Sequence, residues 1–425
     1  MRQLPLIRGI HLPPLLPYSL LWDNLPSLSR APARSSRGRK GYQRDPLLRA
    51  LVFRCLAAIP TLTGLVDALN LNPSLVECLG LNPLHGSPPV ERFSSFLRDT
   101  SYSTLQQVRL ALLSALIQEN VIQGKGLALD SCPVIAPLRE NNLKTRLLHG
   151  RFDKTVFPKA DPDARLGVRI HFPNERKVTY FWGYRNHTIS DAESELPLWE
   201  ETYPANTAEV TVAVPMLRAV KALGLATTYV AADSAYDAES VLACILNELH
   251  AQPIVPRRST GPATPDYTIR DNQVLCAADL PMVHKGKMTV NGYTYRQYAC
   301  PLHLRKSFQQ KFLACPVFHP KFFEQKGCNA LIRLTPSVRS LINYDTEEFR
   351  TLYHKRVAVE RSYSRLLSLT LEHPTVHGLI ANRNHCTIAH IATLVVALTA
   401  SRLGEPEKIR AVRSFIPSLS KKPIL

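Results

Sequence analysis

The spacing of apolar positions changes character along the chain. From Asp45 to Gln123 apolar residues recur at intervals of three and four, as in LLRALVFRCLAAI. Asp45-Pro46 before that run resembles an N-cap followed by proline at the first helical position. Asn72-Pro73, Asn82-Pro83 and Pro88-Pro89 cut this region into short helices, and Ser101 to Gln123 reads as a longer one. From Gly126 the pattern becomes strand-like in GLALD (to Asp130), VTYFWGY (Val178 to Tyr184), TTYVAA (Thr227 to Ala232) and QPIVP (Gln252 to Pro256). Helices are expected at Met216 to Leu223, closed by Gly224, and at Ala238 to His250. This alternation predicts an α/β fold, a mixed or parallel sheet flanked by helices. Residues from about Ser259 to Thr335 break the rhythm with cysteines, basic residues and short strand-like pieces, and read as an insertion. A long amphipathic helix is expected from Thr346 to Leu369, then at least one apolar helix within Gly378 to Arg402. The organisation expected is a proline-rich and basic arm over 1–44, an all-helical domain over 45–123, the first part of the α/β domain over 124–258, the insertion over 259–340, closing helices over 341–402 and a basic tail over 403–425.

Composition narrows the partner. Lysine and arginine number 52 against 34 acidic residues, a formal charge of +18, and such self-repulsion is best tolerated beside a polyanion. Nucleic acid and an anionic membrane are the two candidates. The first 30 residues are apolar but broken by five prolines, and Ile388 to Ala400 is too short to span a bilayer and reads as a buried helix. Nine irregularly spaced cysteines do not suit a secreted disulfide scaffold, so a cytoplasmic protein is expected. Arg30 to Arg44 carries six basic residues, Arg37, Arg39 and Lys40 among them, and no acidic one. It is either a solvated arm or one that follows DNA phosphates. The short helices after it suit a helix-turn-helix-like DNA-binding bundle, which spacing alone does not establish.

Asp130 and Asp233 occupy equivalent settings, each ending a short apolar strand. Carboxylates at such strand ends project into the ligand crevice of an α/β sheet, where two together suit a hard cation such as Mg²⁺. Taken singly, each is equally a turn or cap residue. On the helix expected at Thr346 to Leu369, Tyr353, Arg356 and Glu360 fall within an arc of about 60°. Glu360 is then either an ion-pair partner of Arg356 or a metal ligand, with Arg356 and Arg361 free for phosphate.

The segments LALDS around Asp130, YVAADSAYDAES around Asp233 and YHKRVAVERSYSRL around Glu360 together resemble the DDE transposases of bacterial insertion sequences. The third fits the Tyr–x2–Arg–x3–Glu pattern those enzymes carry on a helix, and DPDARLGV, GYRNHTISDAESELPL and PAN between them are similar as well. The resemblance runs from about Asp45 to Leu398. It implies an RNase H-like fold interrupted by the cysteine-bearing insertion, and Asp130, Asp233 and Glu360 as catalytic ligands of two Mg²⁺ ions, for which Mn²⁺ can substitute. Asp130 would bridge the metals, held roughly 3.5–4 Å apart, one generating the nucleophile and one stabilising the leaving oxygen. It further implies double-stranded DNA partners (inverted-repeat ends and target), a homodimer assembled on DNA, no membrane role, and a bacterial, nucleoid-associated protein. Tyr353 and Arg356 would contact the scissile strand. One departure is plain: the pattern often continues with lysine seven residues after the glutamate, and position 367 is leucine. Arg361 or Arg365 would have to replace it as a phosphate contact. His187 and Asp191 read as structural and turn residues.

In the insertion, Cys300-Pro-Leu-His303, Cys315-Pro-Val-Phe-His319 and Cys328, with Cys276 upstream, supply soft ligands with spacing compatible with a zinc knuckle, although free cysteines are also ordinary core residues. Three functions share this sequence: an active transposase, a decayed or repurposed relative that binds DNA without cutting, and a metal-dependent nuclease. Three convergent carboxylates in a basic protein favour an enzyme over a pure binder, and inverted repeats flanking the gene would separate the first from the third.

Overall fold

A computed structural model describes residues 16–28, 42–144, 151–171, 177–258, 267–290, 292–324 and 327–419. The chain divides into two compact units, one formed by Met1–Pro256 with Tyr344–Leu425 and the other by Arg257–Asn343.

The first unit opens with six helices, α1 (Leu16–Asn24), α2 (Arg44–Leu56), α3 (Leu62–Leu71), α4 (Pro73–Cys78), α5 (Val90–Asp99) and α6 (Tyr102–Gln118). The prolines around α1 hide it in the sequence, but Tyr18, Leu21 and Trp22 are buried on it. Four strands follow, β1 (Gly126–Ile135), β2 (Arg165–His171), β3 (Lys177–Asp191) and β4 (Pro197–Pro204), then α7 (Glu209–Lys221), β5 (Tyr229–Ala232), α8 (Glu239–Ala243) running into a π turn, and β6 (Gln252–Ile254). After the second unit come α12 (Glu347–His354), α13 (Val357–Ser368), α14 (Leu379–Arg402) and α15 (Phe415–Leu419). The second unit holds β7 (Tyr267–Arg270), β8 (Gln273–Cys276), β9 (Val283–Val290), β10 (Tyr293–Ala299), the short helices α9 (Pro301–Leu304), α10 (Lys306–Lys311) and α11 (Pro320–Phe323), and β11 (Asn329–Arg333). There β7 and β8 form a hairpin, and β9, β10 and β11 a three-stranded antiparallel sheet.

The six-stranded sheet of the first unit is mixed, as expected. β1 runs antiparallel to β3 and parallel to β5, which is parallel to β6. β3 is long enough to take two partners on its other edge: β2 beside Lys177–Gly183 and β4 beside Tyr184–Ser190. Gly183 marks the point where β3 passes from one to the other. A Cβ there would stand 2.1 Å from the Val134 carbonyl oxygen, a backbone atom that cannot step aside.

Among the described residues, α14 is long and apolar enough to cross a membrane, but most of it is buried within the protein, where it packs on α2, α5, α6 and β4. Two of its polar residues tie it to its neighbours. Asn384 donates to the carbonyls of Leu97 and Thr100, both at 2.8 Å. The carboxylate of Glu200, itself fully buried, accepts from Gln106 at 2.5 Å, Thr387 at 2.7 Å and Asn186 at 2.9 Å, joining α6, α14, β3 and β4.

Two expectations need correction. The helix expected over Thr346–Leu369 is two helices. Between them the N–H groups of Lys355, Arg356, Ala358 and Val359 reach back three residues instead of four, tightening the chain into a 3₁₀-like turn ahead of the β-branched Val357 and Val359. The strand expected to end at Asp130 continues to Ile135, because β3 carries the antiparallel ladder past it and Cys132 and Val134 turn inward in alternation.

Three buried histidines make this fold acid-sensitive. Burial pushes His187 and His385 down to about 3 and His390 down to about 4. The unfolded chain takes up these protons below about pH 6.5 while the folded chain excludes them, so stability is unaffected above that pH and falls as pH drops towards the folded values. Neither nitrogen of His187 has a hydrogen-bond partner. We therefore expect His187→Phe to match the parent at pH 8 in chemical denaturation and to gain on it by about 1.4 kcal/mol per pH unit below about pH 6. Parallel stability curves for the two proteins would contradict this.

Candidate functional site

The site is built on the pairing of β1 between β3 and β5. Leu129 is opposite Ala232 in the parallel ladder, so Asp130 and Asp233 are the next residues on neighbouring strands. On its other side Asp130 faces Thr188 of β3. Close approach at the start of β1 needs Gly126, where a Cβ would lie 2.2 Å from the Tyr229 ring.

Asp130 is held in place by short contacts. One carboxylate oxygen accepts the Ser131 N–H at 2.7 Å, and the other stands 3.7 Å from Arg356. Burial pushes its carboxyl up to about 7, and the nearby Asp233 adds to this, while the Ser131 N–H and Arg356 oppose it. Such a group costs least with a cation beside it, which would draw its proton off. Asp233 accepts the Ala235 N–H at 2.9 Å and so also caps the 3₁₀ turn Ser234–Tyr236. Its two readings, cap and site residue, are compatible.

Glu360 lies in the first turn of α13, about half exposed, 2.5 Å from the Arg356 guanidinium. Arg356 thus spans Asp130 and Glu360, and its guanidinium also sits 5.6 Å from the Tyr353 ring centroid. The break before α13 leaves Tyr353 and Glu360 on different helices, so the single arc expected for them does not exist. Among the described residues, no three His, Cys, Asp or Glu side chains stand arranged to hold a metal ion. The carboxylates Asp130 and Asp233 are neighbours, and Glu360 reaches them through Arg356.

Other residues at the site gave no sequence signal. Tyr363 of α13 points its hydroxyl at the carbonyls of Asp130 (2.8 Å) and Asn186 (2.9 Å), fixing the helix over β1 and β3. Glu209, at the start of α7, accepts from Ser131 at 2.6 Å and pairs with Arg185 at 3.4 Å. Arg185 also donates to Ser131 at 3.0 Å. A cavity of about 570 Å³ beside Glu360 is lined by Arg169, Arg185, Ser364 and Leu367. Position 367 therefore faces a space in which the cations come from β2 and β3.

Arg361 and Arg365 point elsewhere. Both pair with the buried Glu195 at 2.9 Å, and Arg365 also donates to the Glu195 carbonyl. Burial favours the neutral acid here, but the hydrogen bonds from Arg361 and Arg365 and the charge of Arg410 outweigh it and hold Glu195 below the usual carboxylate range. Arg365, 17% exposed, is thus tied into an interior ion pair. Arg361 is 64% exposed and lines a second cavity, of about 680 Å³, with His354, Lys355 and Arg410. His187 is buried without polar partners, and Asp191 accepts the N–H groups of Gly124 and Ser194 in a turn. Arg37, Arg39 and Lys40 lie outside the described residues. Cys300, His303, Cys315 and Cys328 lie in the second unit.

The family model described as "Transposase DDE domain" matches residues 152–395, more than half of the chain. The match includes Asp233 and Glu360 and begins after Asp130. No curated protein matches the chain. Among solved structures, the cryo-EM structure of a piggyBac transposase synaptic complex with hairpin DNA is similar at 11% identity over 97% of this chain and 82% of that one, with a TM-score of 0.38.

The Tyr363 contact gives a direct test of how α13 is held. Tyr363→Phe strips the shared donor from two buried carbonyls and is expected to cost about 1–3 kcal/mol in chemical denaturation. A loss below a few tenths of a kcal/mol would show that the hydroxyl does not tie α13 to the sheet.

Proposed function

Since the chain belongs to the transposase DDE domain family, a family of DNA-acting proteins that generally use divalent metal ions, we propose that it is an active transposase. It cleaves DNA strands at the ends of an insertion sequence and joins them to target DNA. The observation that carries this reading is the β1–β5 register, which sets Asp130 beside Asp233.

In this reading Asp130, Asp233 and Glu360 hold two Mg²⁺ ions, with Mn²⁺ able to replace them. The residues suit that role in kind: all three offer carboxylate oxygens, the donors hard cations prefer. When bound, the metals supply Lewis acidity at the scissile phosphate and lower the pKa of the attacking hydroxyl. The oxygen of water, or of a DNA 3′-hydroxyl, forms the new bond to phosphorus as the phosphorus–oxygen bond opposite it breaks, and the displaced oxygen leaves as a hydroxyl. Hydrolysis and strand transfer are then one reaction with two nucleophiles. Arg356 swings from Asp130 and Glu360 to phosphate as cations enter, and Tyr353, stacked under it, guides that movement. Arg185 and Arg169 carry the cationic role at the groove wall that Leu367 lacks. Inverted-repeat ends and target DNA are the partners, bridged by two copies of the chain on nucleoid DNA in a bacterial cytoplasm. The +18 charge supports binding to a polyanion.

A second reading has an observation of its own. Arg356 bridges Asp130 and Glu360 as a metal would, which suits a relative that binds DNA without cutting it. DNA carrying the flanking repeats, incubated with Mg²⁺ or with EDTA, distinguishes the two. We expect Mg²⁺-dependent nicks at the repeat ends, lowered on the order of 10³-fold in Asp233→Ala while DNA binding persists. Binding with no cleavage by the parent protein under Mg²⁺ or Mn²⁺ supports the second reading instead.

A further inference from the structure

The second unit has an unusual interior. Among its described residues the central buried cluster is eight side chains, and half are cysteines: Cys276, Cys300, Cys315 and Cys328. Its larger apolar side chains, Phe308, Phe312 and Phe322 among them, are only partly buried against this core, and small domains commonly rely on a covalent or metal staple. All four cysteines are free thiols.

One of the thiols, Cys328, reaches two of the others. Cys328 shares one hydrogen bond with Cys276 and another with Cys300. These cysteines come from three separate places: Cys276 ends β8, Cys300 precedes α9, and Cys328 precedes β11. The backbone is shaped around them. After β8 the chain turns back on itself, with the Leu280 carbonyl accepting the Cys276 N–H at 2.9 Å and Asp279 at φ +52°. In that turn the Cys276 sulfur accepts backbone N–H bonds from Ala278 and Leu280, the kind of support that orients a ligand sulfur. Gly327, at φ +60°, lets the strand carrying Cys328 approach so closely that a Cβ there would lie 2.7 Å from both Cys300 Cβ and His303 Cδ2.

His303 stands one turn after Cys300, on the same side of α9. Its ring lies 4.9 Å from that of Phe322, and its buried Nε2 has no hydrogen-bond partner. A buried ring nitrogen left without a partner is costly unless something binds it.

We propose that Cys276, Cys300, Cys328 and His303 form a structural zinc site that staples the second unit. Three thiolates and one imidazole are an ordinary tetrahedral zinc set, and four protein ligands leave no open position for catalysis. As they stand, the Cys328 sulfur hydrogen-bonds with those of Cys276 and Cys300, and no three of the four side chains surround a common point as metal ligands do. On binding, the three thiol protons leave and the sulfurs close in to about 2.3 Å from the ion. Cys276 enters the set in place of Cys315, which the spacing of the sequence favours but which serves as packing in the same core.

The test uses the full chain purified without chelator, and its readout is independent of any action on DNA. Zinc per chain is measured by mass spectrometry of the metal, and Co²⁺ is added to the zinc-stripped chain. The thiolate-to-cobalt charge-transfer band separates cysteine ligation from any cation bound by carboxylates. We expect about one zinc per chain and a tetrahedral cobalt spectrum. Both should be lost in Cys276→Ser and retained in Cys315→Ala. Cys300→His, which keeps a ligand in place, guards against simple misfolding: it should retain zinc with a weaker charge-transfer band. The proposal is overturned if the parent chain holds no zinc and gives no such band, if Cys276 and Cys328 are recovered as a disulfide, if Cys276→Ser keeps full occupancy, or if folded Cys300→His holds none.

Discussion

The pairing of β1 with two unlike neighbours governs the rest of the first unit. Its antiparallel ladder to β3 places Asp130 opposite Thr188, and its parallel ladder to β5 places Asp130 beside Asp233. A one-residue slip in either ladder would turn Asp130 to the opposite face, since side chains alternate along a strand. The site is therefore as well defined as the strand register. That register is enforced by full burial of Leu127, Ala128 and Leu129, and by Gly126 and Gly183, where a larger residue would collide with Tyr229 or with the β1 backbone.

Helix α13 depends on the same ladders. Its hydroxyl clamp, Tyr363, reads the carbonyls of Asp130 and Asn186 at once, so it fits only where β1 and β3 are in register. The opposite flank is held by Glu195, whose buried carboxylate collects Arg361 and Arg365 from α13 and Arg410 beyond α14. Removing Glu195 would leave the largely buried Arg365 guanidinium uncompensated, which makes the set a positioning device even if its net stabilisation is small. Between these two anchors Glu360 is left half-exposed at the rim, joined to the interior by Arg356. The carboxylates that are rigid and the one that is free to move are thus distinguished by what supports them.

Much of this was legible in sequence where the signal is local. The alternation of apolar strands and helices from Gly126 onward announces a mixed sheet, and Asp130 and Asp233 stand out because each follows an apolar strand run. β2 and β4 are less visible. Their patterns are short, and in β4 the inward positions include the polar Glu200 and Thr202 while Trp199 and Tyr203 are partly exposed, so no apolar alternation marks it. The break at Lys355–Arg356 is invisible because periodicity continues through it. Glu209, Arg185 and Tyr363 act through partners 24 to 233 residues away in sequence, and no spacing rule reaches that far. The pairing of Arg365 with Glu195, 170 residues away, is likewise beyond any spacing rule.

The claim at the centre of this account is that the β1–β5 register forms one half of a cation site. Anomalous diffraction from crystals of the full chain in saturating Mn²⁺ tests it most directly. The account predicts an anomalous peak shared by the carboxylates of Asp130 and Asp233, with the Arg356 guanidinium displaced from Asp130. No peak between those two side chains, with Arg356 still spanning Asp130 and Glu360 at saturating Mn²⁺, would contradict it.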